Sequence, residues 1–526
     1  MDENKFIRTI DKYFTSNRKL AFLVTFFTAL IAHFTCYSQL VAITNTFANG
    51  SYYLPGEWEI SIGRWGIYFW NILRFGIVSP FFICLTSFSI LGFISILIND
   101  LLKIKSKILT ILVSMIISTS PYVYNILLYT YTADTYFISM LLAVLAVKFL
   151  LEKSKRNNIY GIICIIMSFS IYQTFLSITV ILSIMIIFFE YIRNDIKFKE
   201  FLKDILKLLS KITFALILYY IITKIILKIK GIEISNYYGI EDDFRYIILN
   251  LFNGVIGAYE DWIYYYFSSL FTGKLKYIIS GIYLMIFMML NINIIMMILK
   301  NGKNFEDKFT KILCWYILFL ILPIMQNCIR LIVPTSAIAP TTIVSYIIPI
   351  IIYVYTIQQM SCLTKSNKKM NFWGILLTIY LIYSYTFVGE STYIALKKNY
   401  NQIHSQLVRV IDRIENNKDY TPNMKIKIIG GKDYKTYIPI YEFASLNRRV
   451  GFFGDVGNIP LTYLKEEFGI KNEFATDEEM EEIYNTEEYK KMKEFPDEES
   501  VKVINNVLVV KLENSEYSIN KIKQEN

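Results

Sequence analysis

The chain has 526 residues, 54% of them hydrophobic, with a mean hydropathy of +0.40 and 41 Tyr plus 38 Phe, a composition that excludes an ordinary soluble globular protein. Its net charge is +10, yet the residues from Glu390 onward carry 20 Lys+Arg against 24 Asp+Glu, which leaves +14 on the apolar part and argues for charge at a membrane surface instead of a nucleic-acid footprint. With only two His (His33 and His404) and six Cys in or beside apolar runs, nucleophile–histidine chemistry, a disulfide framework and a zinc site are not expected.

Apolar runs that span a bilayer, or nearly do, lie at about 20–43, 76–98, 108–127, 136–151, 160–174, 177–192, 212–229, 277–299, 312–329, 341–360 and 371–388, which predicts about 11 transmembrane helices. Those between 108 and 192 are short, and re-entrant pieces are an alternative there. The first residues lack a short apolar core with a cleavage site, so the opening helix reads as a retained anchor. Lys and Arg cluster after alternate runs, at Lys103, Lys105 and Lys107, at Lys153, Lys155 and Arg156, at Arg193, Lys197 and Lys199, at Lys300, Lys303, Lys308 and Lys311, and at Lys365, Lys368 and Lys369. The positive-inside rule makes these connections cytoplasmic, together with an N-terminus that carries Lys5, Arg8, Lys12, Arg18 and Lys19. The intervening connections, including a long acidic loop at 230–276, then face outward.

The first outward connection holds Gly56-Glu57-Trp58-Glu59-Ile60-Ser61-Ile62-Gly63-Arg64-Trp65, two carboxylates and an arginine among tryptophans. Ionisable groups at a membrane surface are costly to desolvate and need partners or a task. The plain alternative is an aromatic belt, with Trp58, Trp65 and Trp70 at the headgroups and Glu57, Glu59 and Arg64 solvated. Further along, His33 reads as a packed helix residue, and Asp134 either as a solvated helix cap or as a functional acid. Tyr172-Gln173 lies at an outer turn where it can hydrogen-bond a ligand or join helices. Lys224, Lys228 and Lys230 break the charge pattern at an outer end and Arg330 follows the ninth run; snorkelling explains them, though a lipid phosphate needs such cations. Asp242-Asp243 lacks a clear third ligand, so no metal is expected.

From about 390 the chain becomes charged and turn-rich, predicting a separate α/β domain at 390–526 after a membrane domain at 1–389. A helix is expected at about 391–415, a strand at Met424–Ile429 ending at Gly430-Gly431, an acidic helical stretch over about 476–494, and a hairpin turning at Asn505-Asn506.

Four stretches resemble the bacterial glucosyltransferase II family: Glu57-Trp58-Glu59-Ile60-Ser61-Ile62-Gly63-Arg64-Trp65-Gly66, Tyr131-Thr132-Ala133-Asp134-Thr135-Tyr136-Phe137, Ser168-Phe169-Ser170-Ile171-Tyr172-Gln173-Thr174 and, least specific, Val501 to Leu512. The resemblance implies a GT-C-like, all-α polytopic membrane glycosyltransferase with its extracytoplasmic α/β domain at the C-terminus. It would take a glucosyl or related hexosyl group from a polyprenyl-phosphate donor to a cell-surface glycan acceptor, inverting the anomeric centre, in contact with membrane lipid and without nucleic acid or cofactor. Glu59, Glu57 and Asp134 are then the candidate catalytic acids, and Arg64, Trp58, Trp65, Tyr172, Gln173, Lys224 and Arg330 the candidate substrate-binding residues. Similar proteins often carry an acid nearer the end of the first helix, where this chain has Thr44 and Asn45, so the base is divided between Glu57 and Glu59. If the loop is extended the two point the same way, and if it is a helical turn they diverge by about 200°. Glu59 is favoured because Ile60 and Ile62 suggest re-entry into apolar surroundings, which make a carboxylate a better base. A lipid-linked sugar flippase is the rival reading, though most runs lack a central charge and no repeat of halves is visible. A glycan-binding scaffold is a third.

Overall fold

In the computed structural model of the protein, residues 13–39, 41, 43–152, 154–194, 196–235, 244–268, 275–333, 340–361, 368–430 and 459–512 are described. Glu241, Asp242, Asp243 and Cys362 lie outside them. All eleven apolar runs fall on helical segments, but among the described residues six helices are long and apolar enough to cross a membrane, or seven if one bent pair is a single span. By length and composition these are six or seven candidate spans, not eleven unbroken ones. Hydropathy counts apolar side chains and does not register where the backbone breaks. The first run is interrupted at His33, between the Ser16–Ala32 and Phe34–Ser38 helices. The third bends by 41° between Lys107–Thr119 and Pro121–Leu127, where the proline ring has no N–H to continue the ladder. The ninth splits into Phe305–Leu320 and Leu322–Gln326, with Pro323 in the first turn of the second piece. The tenth opens as a 3₁₀ turn at Val344–Ile347 before the Ile348–Ser361 helix.

His33 is buried at its break, one ring nitrogen 2.9 Å from the Tyr393 hydroxyl and the other 2.9 Å from the Ser118 carbonyl, which is the packed role expected of it. The supposed loop at 230–276 instead contains the Phe244–Ile263 helix and a π turn at Tyr264–Ser268.

The last span does not stop at 390. One helix runs from Lys368 to Glu415, 48 residues or about 72 Å at 1.5 Å per residue, against about 30 Å of hydrocarbon. Composition changes along it while the helical period continues. Its second half puts Ile403, Leu407, Val410 and Ile414 into a core with Ile426, Ile428, Leu508 and Val510. These last four belong to a three-stranded sheet of order β1-β3-β2, with β1 at Lys425–Ile429, β2 at Val501–Ile504 and β3 at Val507–Lys511. The β2–β3 pair is antiparallel, and Asn505 and Asn506 make the turn at φ 48° and 62°, the positive values that a two-residue hairpin requires and asparagine tolerates. β1 lies parallel to β3. Met480, Ile483 and Met492 cover the other face. The acidic stretch divides into Asp477–Tyr484 and Glu487–Lys490, each capped by a threonine hydroxyl, Thr476 and Thr486.

Candidate functional site

After the Thr44–Asn49 helix the chain turns at Gly50 and pairs briefly with a later segment: Tyr53 N–H donates to the Gly76 carbonyl at 2.8 Å and Val78 N–H to the Ser51 carbonyl at 2.9 Å. Residues Glu57–Ser61 then form a single helical turn. Glu59 caps it, one carboxylate oxygen accepting from Gly56 N–H at 2.8 Å and the other from the Tyr53 hydroxyl at 2.7 Å. The helical alternative therefore holds, and the two acids diverge: Glu59 turns inward to Tyr53 and Glu57 is exposed. Burial, with the Glu59 carboxylate beside it, raises the Tyr53 hydroxyl far above its ordinary range, so that hydroxyl stays a donor.

Two glycines carry the loop back onto the helices. Gly63 has φ 78°, and a Cβ there would lie 2.2 Å from the Tyr219 hydroxyl. Gly66 donates its N–H to the Ser170 carbonyl at 2.9 Å, and a Cβ would meet Ser170 Oγ at 2.2 Å. Between them, Arg64 Nε donates to Gln173 Oε1 at 3.3 Å, and its guanidinium lies 4.7 Å from the centroid of the Tyr172 ring. Gln173 also donates to the Ile62 carbonyl at 3.0 Å. Tyr172 stacks on Tyr136 with centroids 4.5 Å apart and shares a 2.6 Å hydrogen bond with Thr341. Arg64 and Glu59 both lie close enough to Tyr131 and Tyr136 to act on them electrostatically.

Asp134 is neither a solvated cap nor an isolated acid. It sits in the first turn of the Ala133–Leu151 helix, 2% exposed, and takes Arg74 Nη1 at 2.7 Å and the Trp70 indole N–H at 2.8 Å. Arg74 also donates to the Tyr131 carbonyl at 2.6 Å and to the Asn71 side chain. Trp70 is thus a bonding partner for Asp134 as well as an aromatic. Sequence reasoning missed Arg74; the signal was the four-residue spacing from Trp70, which puts both on one helical face. Tyr131 links the two acids, its carbonyl on Arg74 and its ring 4.7 Å from that of Tyr53.

The other candidates are placed differently. Trp58 is exposed, in keeping with an interfacial anchor. Trp65 is buried, with its indole N–H on Thr223 Oγ1 at 3.0 Å and its ring stacked on Tyr219, which corrects its reading as a headgroup anchor. Lys224 follows Thr223 on the Phe198–Lys230 helix, with its ammonium 5.7 Å from the Tyr220 ring. Arg330 is buried and bidentate on Asp261, at 2.7 and 2.8 Å, with Asn327 donating to the same carboxylate at 2.7 Å. Gly254 and Gly257 admit it: a Cβ at Gly254 would come within 2.4 Å of the Arg330 carbonyl. Its charge is matched internally, which sequence reading missed because it treated Asp261 as part of an acidic loop. No group of three or more potential metal ligands occurs among the described residues.

A family model described as Glucosyl transferase GtrII matches residues 43–355, a span that includes every candidate site residue and ends before the long final helix. No curated protein and no solved structure matches the chain.

Proposed function

Because the chain belongs to the glucosyl transferase GtrII family, we propose that it moves a glucosyl or related hexosyl group from a polyprenyl-phosphate donor to a cell-surface glycan at the outer face of the cytoplasmic membrane. The observation that carries the reading is convergence. Stretches around residues 57–66, 131–137 and 168–174, far apart in the chain, meet where Glu59 and Arg64 stand among Tyr53, Tyr131, Tyr136 and Tyr172. A carboxylate held by two donors, a guanidinium and a set of aromatic faces suit a sugar phosphate.

In this reading Glu59 takes the proton from an acceptor hydroxyl as its oxygen attacks the anomeric carbon. The bond from that carbon to the phosphate oxygen breaks, and polyprenyl phosphate leaves with the electron pair. Arg64 stabilises the departing phosphate through the parallel N–H bonds that a guanidinium offers. Attack opposite the leaving group inverts the centre. Asp134, neutralised by Arg74, supports the fold of the site instead of acting as the base. The charge pattern over the eleven apolar runs supports a cytoplasmic N-terminus, with the site and the region after 390 outside. The test is a comparison of surface-glycan composition in wild-type, deletion and complemented strains. Loss of one hexose on deletion, restored by the gene, supports the proposal, and an unchanged glycan refutes it.

A further inference from the structure

The geometry points to Glu466, in the C-terminal region, as a positioning residue for the Glu59 loop, an inference that rests on the proposed role of Glu59. Glu466 lies on the Leu461–Phe468 helix, outside the span matched by the family model. Its carboxylate accepts from Ser51 N–H at 3.0 and 3.1 Å and from Ser51 Oγ at 3.0 Å, across 415 residues of sequence. The approach requires Gly50: at φ +63° it has a conformation that side chains disfavour, and a Cβ there would come within 2.4 Å of Glu466 Oε1.

From Ser51 the connection to Glu59 is short and held by hydrogen bonds at Ser51, Tyr53 and Gly56. Ser51 pairs with Val78 and Tyr53 with Gly76, Tyr52 bridges Ile77, and the Tyr53 hydroxyl holds Glu59 at 2.7 Å. Displacing Ser51 therefore displaces the donor that aims the carboxylate. The C-terminal helix does not seal onto the loop by continuous packing. A cleft of 180 Å³, with Ser51, Thr130, Glu466 and Glu467 in its walls, lies between them, and Phe47, also in its wall, packs against Tyr400 and Tyr463 at 5.6 and 5.1 Å. Among the described residues the junction includes the Phe47 contact and the Glu466 clamp, and the clamp leads into the Glu59 loop. A movement of the C-terminal region on binding an acceptor would reach the base by this route.

The test uses the full chain in nanodiscs, with polyprenyl-phosphate glucose and surface glycan from the deletion strain. Hydrogen exchange is read over 50–61, and kcat and donor KM are measured for Glu466→Ala, Glu466→Gln, Tyr53→Phe and the Glu466→Ala/Tyr53→Phe pair. We expect Glu466→Ala to raise exchange over 50–61 and to lower kcat about 10- to 100-fold at unchanged donor KM, the cost of misplacing a reacting group by about an ångström. Glu466→Gln, which keeps one acceptor oxygen for Ser51, should recover part of that loss. The double variant should lose no more than its worse single variant, since both act on Glu59 through one connection. Unchanged exchange over 50–61, a loss confined to KM, or multiplying losses in the double variant would each overturn the inference. Should Glu59→Gln prove fully active, the catalytic reading falls, while exchange over 50–61 still shows whether the clamp holds the loop.

Discussion

Replacing Arg74 by methionine tests whether the Asp134–Arg74 pair is a buried structural element. The Asp134 side chain is 3% exposed and that of Arg74 15%, so neither charge is well screened by water. Arg74→Met keeps the stem but removes the donors to Asp134, Asn71 and the Tyr131 carbonyl. Asp134 would retain the Trp70 indole and the Thr135 N–H at 2.9 Å, which satisfy its oxygens but not its charge. Leaving one member of a buried pair uncompensated costs about 3–5 kcal/mol, or roughly two to four decades in the unfolding constant. Converting the partner as well, in Arg74→Met/Asp134→Asn, removes the orphaned charge while keeping an acceptor for Trp70, and should recover about half of that loss or more. Unfolding in mixed micelles with increasing SDS, followed by tryptophan fluorescence, measures both. A loss below about 1 kcal/mol for Arg74→Met would place the pair in the range of solvated surface bridges and refute the reasoning.

Gly66→Ala should destabilise by about 1–3 kcal/mol in the same assay, because its Cβ meets Ser170 Oγ at 2.2 Å and the Ser170 carbonyl at 3.0 Å; Ser170→Ala should relieve only part of this. Arg64→Lys should fold normally yet lose most of its transfer activity, because an ammonium cannot make two parallel bonds to a phosphate, and wild-type rates in Arg64→Ala would remove Arg64 from the mechanism. Protease added to intact spheroplasts should remove residues after about 390, and protection of that region would reverse the proposed orientation.

Local chemistry was legible in the sequence where local chemistry decides the structure. Asn505-Asn506 gives a hairpin because the turn needs two positive φ angles, and Lys425–Ile429 ends as a strand at Gly430, where φ is 78°. Whether Glu57 and Glu59 point the same way reduced to whether one turn was helical, and it is. What was not legible depends on contacts between distant segments. Nothing near Asp134 in sequence announces Arg74, and nothing near Arg330 announces Asp261, although each pair fixes what its acid can do. The alternative that put Trp65 at the headgroups rested on the usual place of aromatic residues at membrane ends, whereas Thr223 and Tyr219 bury it. The change of composition at 390 falls within one unbroken helix whose second half packs into a protein core.

The central assignment is Glu59 as the base. Glutamine at this position keeps the size of the side chain and an oxygen for the Tyr53 hydroxyl or the Gly56 N–H but cannot accept the acceptor's proton. With polyprenyl-phosphate glucose and the surface glycan of the deletion strain, Glu59→Gln should lower the transfer rate by on the order of 10²–10⁴, while Glu57→Gln, altered at an exposed position, should only weaken it. A wild-type rate in Glu59→Gln would contradict the assignment and move the base elsewhere.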